Sequence, residues 1–118
     1  MKRITILCLL LAGMRGGIAV RAHAAQTPKV VEITAKRFGF SPDNITLKKG
    51  EPVTLRIKSE DVTHGFFIRE IKADELIEPG KQVEIKVQPQ KVGTFTAICH
   101  HFCGSGHGNM KMTVTVVE

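Results

Sequence analysis

A chain of 118 residues holds enough apolar surface for one compact core and not for two. Its formal charge of +6 comes largely from Lys2, Arg3, Arg15 and Arg21, because residues 25–118 carry 13 basic and 11 acidic side chains. With that near-neutral remainder, no Trp or Tyr, and no Lys/Arg cluster interleaved with aromatics, a nucleic-acid surface is excluded.

Residues 1–24 read as a secretory signal peptide. Lys2 and Arg3 form a basic start, Ile4 to Met14 an apolar run, and Ala22-His23-Ala24 an A-x-A cleavage site. Arg15 and Arg21 interrupt the stretch that a membrane-spanning helix would need, so a stable span in the mature chain is not expected. The mature protein, residues 25–118, is then expected in the periplasm or outside the cell, with Cys8 lost on maturation.

From Lys29 onward, short β-branched segments alternate with turn residues. The expected strands are Val30 to Ala35, Ile45 to Lys48, Pro52 to Ser59, Gly65 to Ile68, Gln82 to Val87, Gly93 to Cys99 and Lys111 to Val117. Val53/Leu55/Ile57, Val83/Ile85/Val87 and Met112/Val114/Val116 each fall on one face, the period of half-buried strands expected to run antiparallel. Ser41-Pro42-Asp43-Asn44, Lys48-Lys49-Gly50, Glu78-Pro79-Gly80 and Lys91-Val92-Gly93 supply the turns. Asp74 to Ile77 is the only stretch expected to make a helical turn. About seven strands at this spacing predict an all-β, Greek-key β-sandwich in a single domain.

The chemistry is concentrated between the last two predicted strands. Cys99, His100, His101, Cys103, His107 and Met110 place two thiols, three imidazoles and a thioether within 12 residues. Soft and borderline donors at this density select copper, with zinc second. Cys99 shares a strand face with Phe95 and Ala97, so its thiol is expected to point inward. Gly104, Gly106 and Gly108 are expected to let the loop wrap closely, since a residue without Cβ tolerates positive φ. Upstream, His64 stands in Asp61-Val62-Thr63-His64-Gly65-Phe66, where a sandwich brings it beside the C-terminal loop.

These residues resemble the copper-binding domain of haem-copper oxidase subunit II, B-type oxidases most closely, and the related domain of nitrous oxide reductase. The pattern Cys-x3-Cys-x3-His-x2-Met with an isolated upstream His is met here by Cys99, Cys103, His107, Met110 and His64. The segments Phe38-Gly39-Phe40-Ser41-Pro42 and Lys48-Lys49-Gly50-Glu51-Pro52-Val53 are similar to many cupredoxins, so the likeness runs from about residue 29 to the end.

The resemblance implies a cupredoxin with two copper ions in a centre of the CuA kind, moving single electrons. It implies Cys99 and Cys103 as bridging thiolates, His64 and Met110 completing one copper, and His107 with the backbone carbonyl of His101 the other. The family usually carries a carboxylate or amide side chain where His101 stands, and a carbonyl ligand survives that change. The partner is expected to be a redox protein, and the missing Trp/Tyr cluster argues against docking cytochrome c in the family's usual manner. No catalysis is expected, because metal positions filled by protein ligands leave no place for substrate.

Other readings of the same residues stay open at this point. Cys99 and Cys103 also suit a disulfide, which export favours. Imidazoles at 100 and 101 suit a mononuclear copper site, or a copper carrier that hands metal to a cuproenzyme. An uncleaved N-terminus would instead tether an oxidase subunit.

Overall fold

The computed structural model describes residues 27–118 and, upstream of them, Gly17 alone. The signal peptide read in residues 1–24 lies, Gly17 aside, outside the described residues. Among those described, no helix is long and apolar enough to cross a membrane.

Among the described residues, nine strands form two facing sheets: β1 (Lys29–Lys36), β2 (Gly39–Ser41), β3 (Asn44–Lys48), β4 (Val53–Ser59), β5 (His64–Ile68), β6 (Ala73–Ile77), β7 (Gln82–Val87), β8 (Gly93–Ile98) and β9 (Lys111–Val117). One sheet runs β2-β1-β4-β7 and the other β3-β9-β8-β5-β6. The expected all-β sandwich is therefore present, and the three alternating segments become β4, β7 and β9. Their inward residues Leu55, Ile57, Ile85, Val87, Met112, Val114 and Val116 are buried against one another across the gap between the sheets. Phe40 of β2 and Phe66 of β5 meet edge to face across that gap at 5.6 Å between centroids.

The antiparallel expectation holds for only some of the pairings. β4 runs antiparallel to β7 and β9 antiparallel to β8, yet β1 lies parallel to β4 and β3 parallel to β9. Parallel neighbours arise because the chain crosses from one sheet to the other between β1 and β4 and again between β3 and β9. Alternation along a strand records which face is buried, not the direction of its neighbour.

The helical turn expected at Asp74 to Ile77 is overturned. A 3-10 turn lies just before that stretch, at Arg69–Ile71, and Lys72 ends it in the left-handed region at φ 57°, its N–H bonding the Arg69 carbonyl. Residues 73–77 continue as edge strand β6, paired antiparallel with β5 from His64↔Ile77 to Ile68↔Ala73. Only Ala73 and Ile77 of this strand are buried, so its sequence shows no period of two. Exposed Asp74 and Glu75 suit an edge, where charge discourages pairing with another chain. Strand β2, three residues long, is too short for alternation to reveal.

Candidate metal centre

Two parts of the chain converge at one end of the sandwich: the start of β5 and the loop from Cys99 to Met110. β8 and β9 form an antiparallel hairpin ending at Ile98↔Lys111, and the Cys99 N–H extends it by donating to the Met110 carbonyl at 3.1 Å. The first and last donors of the loop are thereby clamped side by side. A 3-10 turn at His107–Asn109 closes the loop, with His107, Asn109 and Met110 N–H groups each bonding the carbonyl three residues back at 3.1 Å. β5 neighbours β8 through Phe67↔Ile98, which carries His64 and Gly65 alongside Cys99.

The donors that meet are His64, Cys99, Cys103, His107 and Met110. Cys99 Sγ and Cys103 Sγ lie 3.7 Å apart as free thiols, too far for a bond near 2.05 Å. His64 Nδ1 is 4.0 Å from Cys99 Sγ, while His107 Nδ1 and Met110 Sδ are each 3.7 Å from Cys103 Sγ. The His101 carbonyl oxygen sits 3.2 Å from Cys99 Sγ, and its imidazole is exposed. The ligating atoms of His64, Cys99 and Cys103 all fall within 4.8 Å of one another. His64, Cys99, Cys103 and Met110 are buried; His107 is half-buried, at the rim.

His64 is fully buried, so it is neither a surface imidazole nor a loose strand cap. Its Nε2 lies 2.6 Å from Asp61 Oδ1. A carboxylate only accepts, so Nε2 carries the proton and the Nδ1 lone pair faces the sulfurs. Asp61 is itself held by N–H donors from Arg37 at 2.8 Å and Val62 at 2.7 Å. Desolvation works to raise the Asp61 pKa, but the Arg37 N–H, the His64 bond and the Val62 N–H outweigh it and bring the carboxyl down to about 2. Ser59 Oγ donates to the Val62 carbonyl and accepts from the Asp61 N–H, fixing the turn that carries them.

Burial pushes the Cys103 thiol up to about 11, helped by the neighbouring Cys99 and opposed by the charge of Arg37. Gly65 N–H donates to Cys99 Sγ at 3.3 Å. The same residue has no room for a side chain, since a Cβ there would lie 2.1 Å from His100 Nδ1 and 2.8 Å from the His101 nitrogen. Of the three loop glycines, only Gly104 uses positive φ, at 140°. Gly106 is needed for closeness instead, because a Cβ would come 2.5 Å from the Phe38 ring, whereas Gly108 faces open space.

His100 stands apart from the cluster. Its Nε2 bonds Asp74 Oδ1 at 2.6 Å, and its ring lies against Phe67 at 5.6 Å between centroids. Phe102 is 74% exposed and leans on the His107 ring at 5.9 Å. Sequence reading quoted Asp61 without giving it a role and passed over Arg37. A carboxylate three residues before a candidate ligand was a usable cue for the first; nothing local marks the second.

Residues 4–116 match the cupredoxin-like domain family. The chain belongs to the cupredoxins. This cupredoxin is 32% identical over 88 residues to cytochrome c oxidase subunit 2 of Thermus thermophilus, covering 75% of the chain and 65% of that protein. It is 34% identical over 90 residues to nitrous-oxide reductase of Cupriavidus necator, covering 73% of the chain and 14% of the reductase. Among solved structures, a heme-copper terminal oxidase dimer contains a chain that superposes with a TM-score of 0.69 at 27% identity, covering 75% of this cupredoxin and 65% of that chain. The cupredoxin thus spans less than two thirds of the length of each of these relatives. Its donor set of two free thiols, an imidazole with a directed lone pair and a thioether fits copper, whose affinity for soft ligands the other divalent ions do not match.

Proposed function

We propose that this cupredoxin is an exported single-electron carrier whose Cys99 and Cys103 thiolates bridge a pair of copper ions. The observation that carries the reading is the pair of free sulfurs 3.7 Å apart, with His64 Nδ1 beside one and His107 Nδ1 and Met110 Sδ beside the other. His64 and Met110 would hold one ion, and His107 with the His101 carbonyl the other. A copper pair held by these residues would supply one-electron chemistry, with the charge shared over both ions.

The chain's own residues make such an exchange cheap in reorganisation. Asp61 holds His64 in one tautomer, the Cys99–Met110 backbone bond fixes the loop ends, and the Gly65 N–H offers a hydrogen bond to thiolate charge. Half-buried His107, with exposed Phe102 against it, would offer a redox partner protein a route from the surface to the site. Metal positions filled by protein donors would leave no place for substrate, which is why the reading is electron transfer and not catalysis. Cleavage of residues 1–24 as a signal would put the domain in the periplasm or outside the cell.

Reconstitution with copper tests this reading. Two coppers per chain with a seven-line paramagnetic resonance pattern is the expected result; one copper with a four-line pattern overturns it. Intact mass of the exported protein checks cleavage after Ala24. The copper-carrier alternative leans on free imidazoles at 100 and 101, and the His100 bond to Asp74 takes one of them away.

A further inference from the structure

Arg37 sits in the turn between β1 and β2, far in sequence from every donor, yet it touches both halves of the site. Its backbone N–H donates to Asp61 Oδ2 at 2.8 Å, and Asp61 in turn orients His64. Its side-chain Nε donates to the Cys103 carbonyl at 2.9 Å. That bond is part-buried and spans 66 residues of sequence. The side chain passes along the back of the loop, where a Cβ on Gly104 would lie 3.6 Å from Nε and 2.9 Å from the Phe38 ring. Gly104 is thus open to the Arg37-Phe38 pair, and a side chain there would push both away.

We propose that Arg37 is a positioning residue that pins the ligand loop through the Cys103 carbonyl and sets a permanent positive charge beside the thiolates, raising the reduction potential of the centre. The inference rests on the electron-carrier reading above. A guanidinium stays charged at every accessible pH and donates in a fixed direction. Reduction adds one negative charge to the site, so a nearby fixed cation favours the reduced form. No other Lys or Arg side chain is hydrogen-bonded to the loop among the described residues.

Three variants separate the two contributions. Arg37→Met removes charge and donor, Arg37→Lys keeps the charge without the directed Nε–H, and Lys36→Met removes an exposed charge one residue away. Redox titration of the copper-loaded proteins is expected to show the equilibrium constant for one-electron reduction falling about three- to tenfold in Arg37→Met, with Lys36→Met near wild type and Arg37→Lys largely restored. Amide exchange of the metal-free proteins reads the pinning without copper: residues 103–107 exchange about tenfold faster in both Arg37 variants, while the β-sandwich amides are unchanged. Equal potentials for Arg37→Met and Lys36→Met, or unaltered loop exchange, overturn the inference. The copper count of the wild type tests the two-copper reading separately, since the loop exchange is measured with no metal at all.

Discussion

His64 Nε2 lies 2.6 Å from Asp61 Oδ1, so the imidazole enters the donor cluster with its proton already spoken for and its free lone pair toward sulfur. The ring cannot turn without breaking a bond to a carboxylate that also accepts from the Arg37 and Val62 N–H groups. Asp61→Asn keeps the shape of this arrangement and removes its charge. Copper affinity is expected to fall about 10- to 100-fold, the usual cost of losing a partner behind a metal-binding imidazole. Chelator competition measures it, and an unchanged affinity would show that His64 needs no such support.

The same carboxyl predicts how the metal-free protein responds to acid. Asp61 is depressed from 3.8 to about 2 in the folded state. A depressed acid stabilises the fold fully above its unfolded pKa and loses that contribution as pH falls through the folded value. Metal-free wild type should therefore lose stability between about pH 4 and pH 2, and Asp61→Asn should lack this part of the acid limb. Urea midpoints at stepped pH check it; parallel acid limbs in the two proteins would refute the assignment to Asp61.

Gly65 is required by space. The hypothetical Cβ contacts of 2.1 Å to His100 Nδ1 and 2.8 Å to the His101 backbone leave no place for even a methyl group. Gly65→Ala must displace His100 from Asp74 or lift the loop from Cys99 onward. A cost of about 1–3 kcal/mol is expected from overpacking, together with weakened copper uptake. Pairing the substitution with His100→Ala should recover only part of the stability, since it removes the imidazole atoms but leaves the 2.8 Å approach to the His101 backbone nitrogen. Denaturant unfolding of the metal-free variants distinguishes this from a loss confined to the metal.

Legibility in the sequence followed the range of the interactions. β4, β7 and β9 were readable because each buries every second residue, and the cluster of sulfur and imidazole side chains because four of its members share one loop at fixed intervals. β6 was misread as helical since its buried residues stand only at its ends, and what makes it a strand is the neighbouring β5. The parallel pairings of β1 with β4 and β3 with β9 depend on chain crossings that alternation does not encode. Arg37 lies 66 residues from Cys103, and the contact exists only because the β1–β2 turn is folded over the end of the second sheet.

Metal removal should change both the size of the stability and its dependence on alkali. In the metal-free fold, burial and the Cys99 neighbour raise the Cys103 thiol from 9.0 to about 11. A raised pKa means that the protonated form is the one the fold prefers. Its stabilisation is complete below about pH 9 and is lost as pH rises through about 11. Bound copper takes the sulfur as thiolate, so no proton remains to be lost and this alkaline decline should disappear in the loaded protein. At neutral pH, free copper at 100 times its dissociation constant should add about 2.7 kcal/mol of stability. Melting temperatures of loaded and chelator-treated protein, measured from pH 7 to 11, test both statements. Cys103→Ser provides the control: without the titrating thiol, the metal-free protein should keep its stability between pH 9 and 11, and a decline as steep as that of the wild type would place the alkaline sensitivity elsewhere.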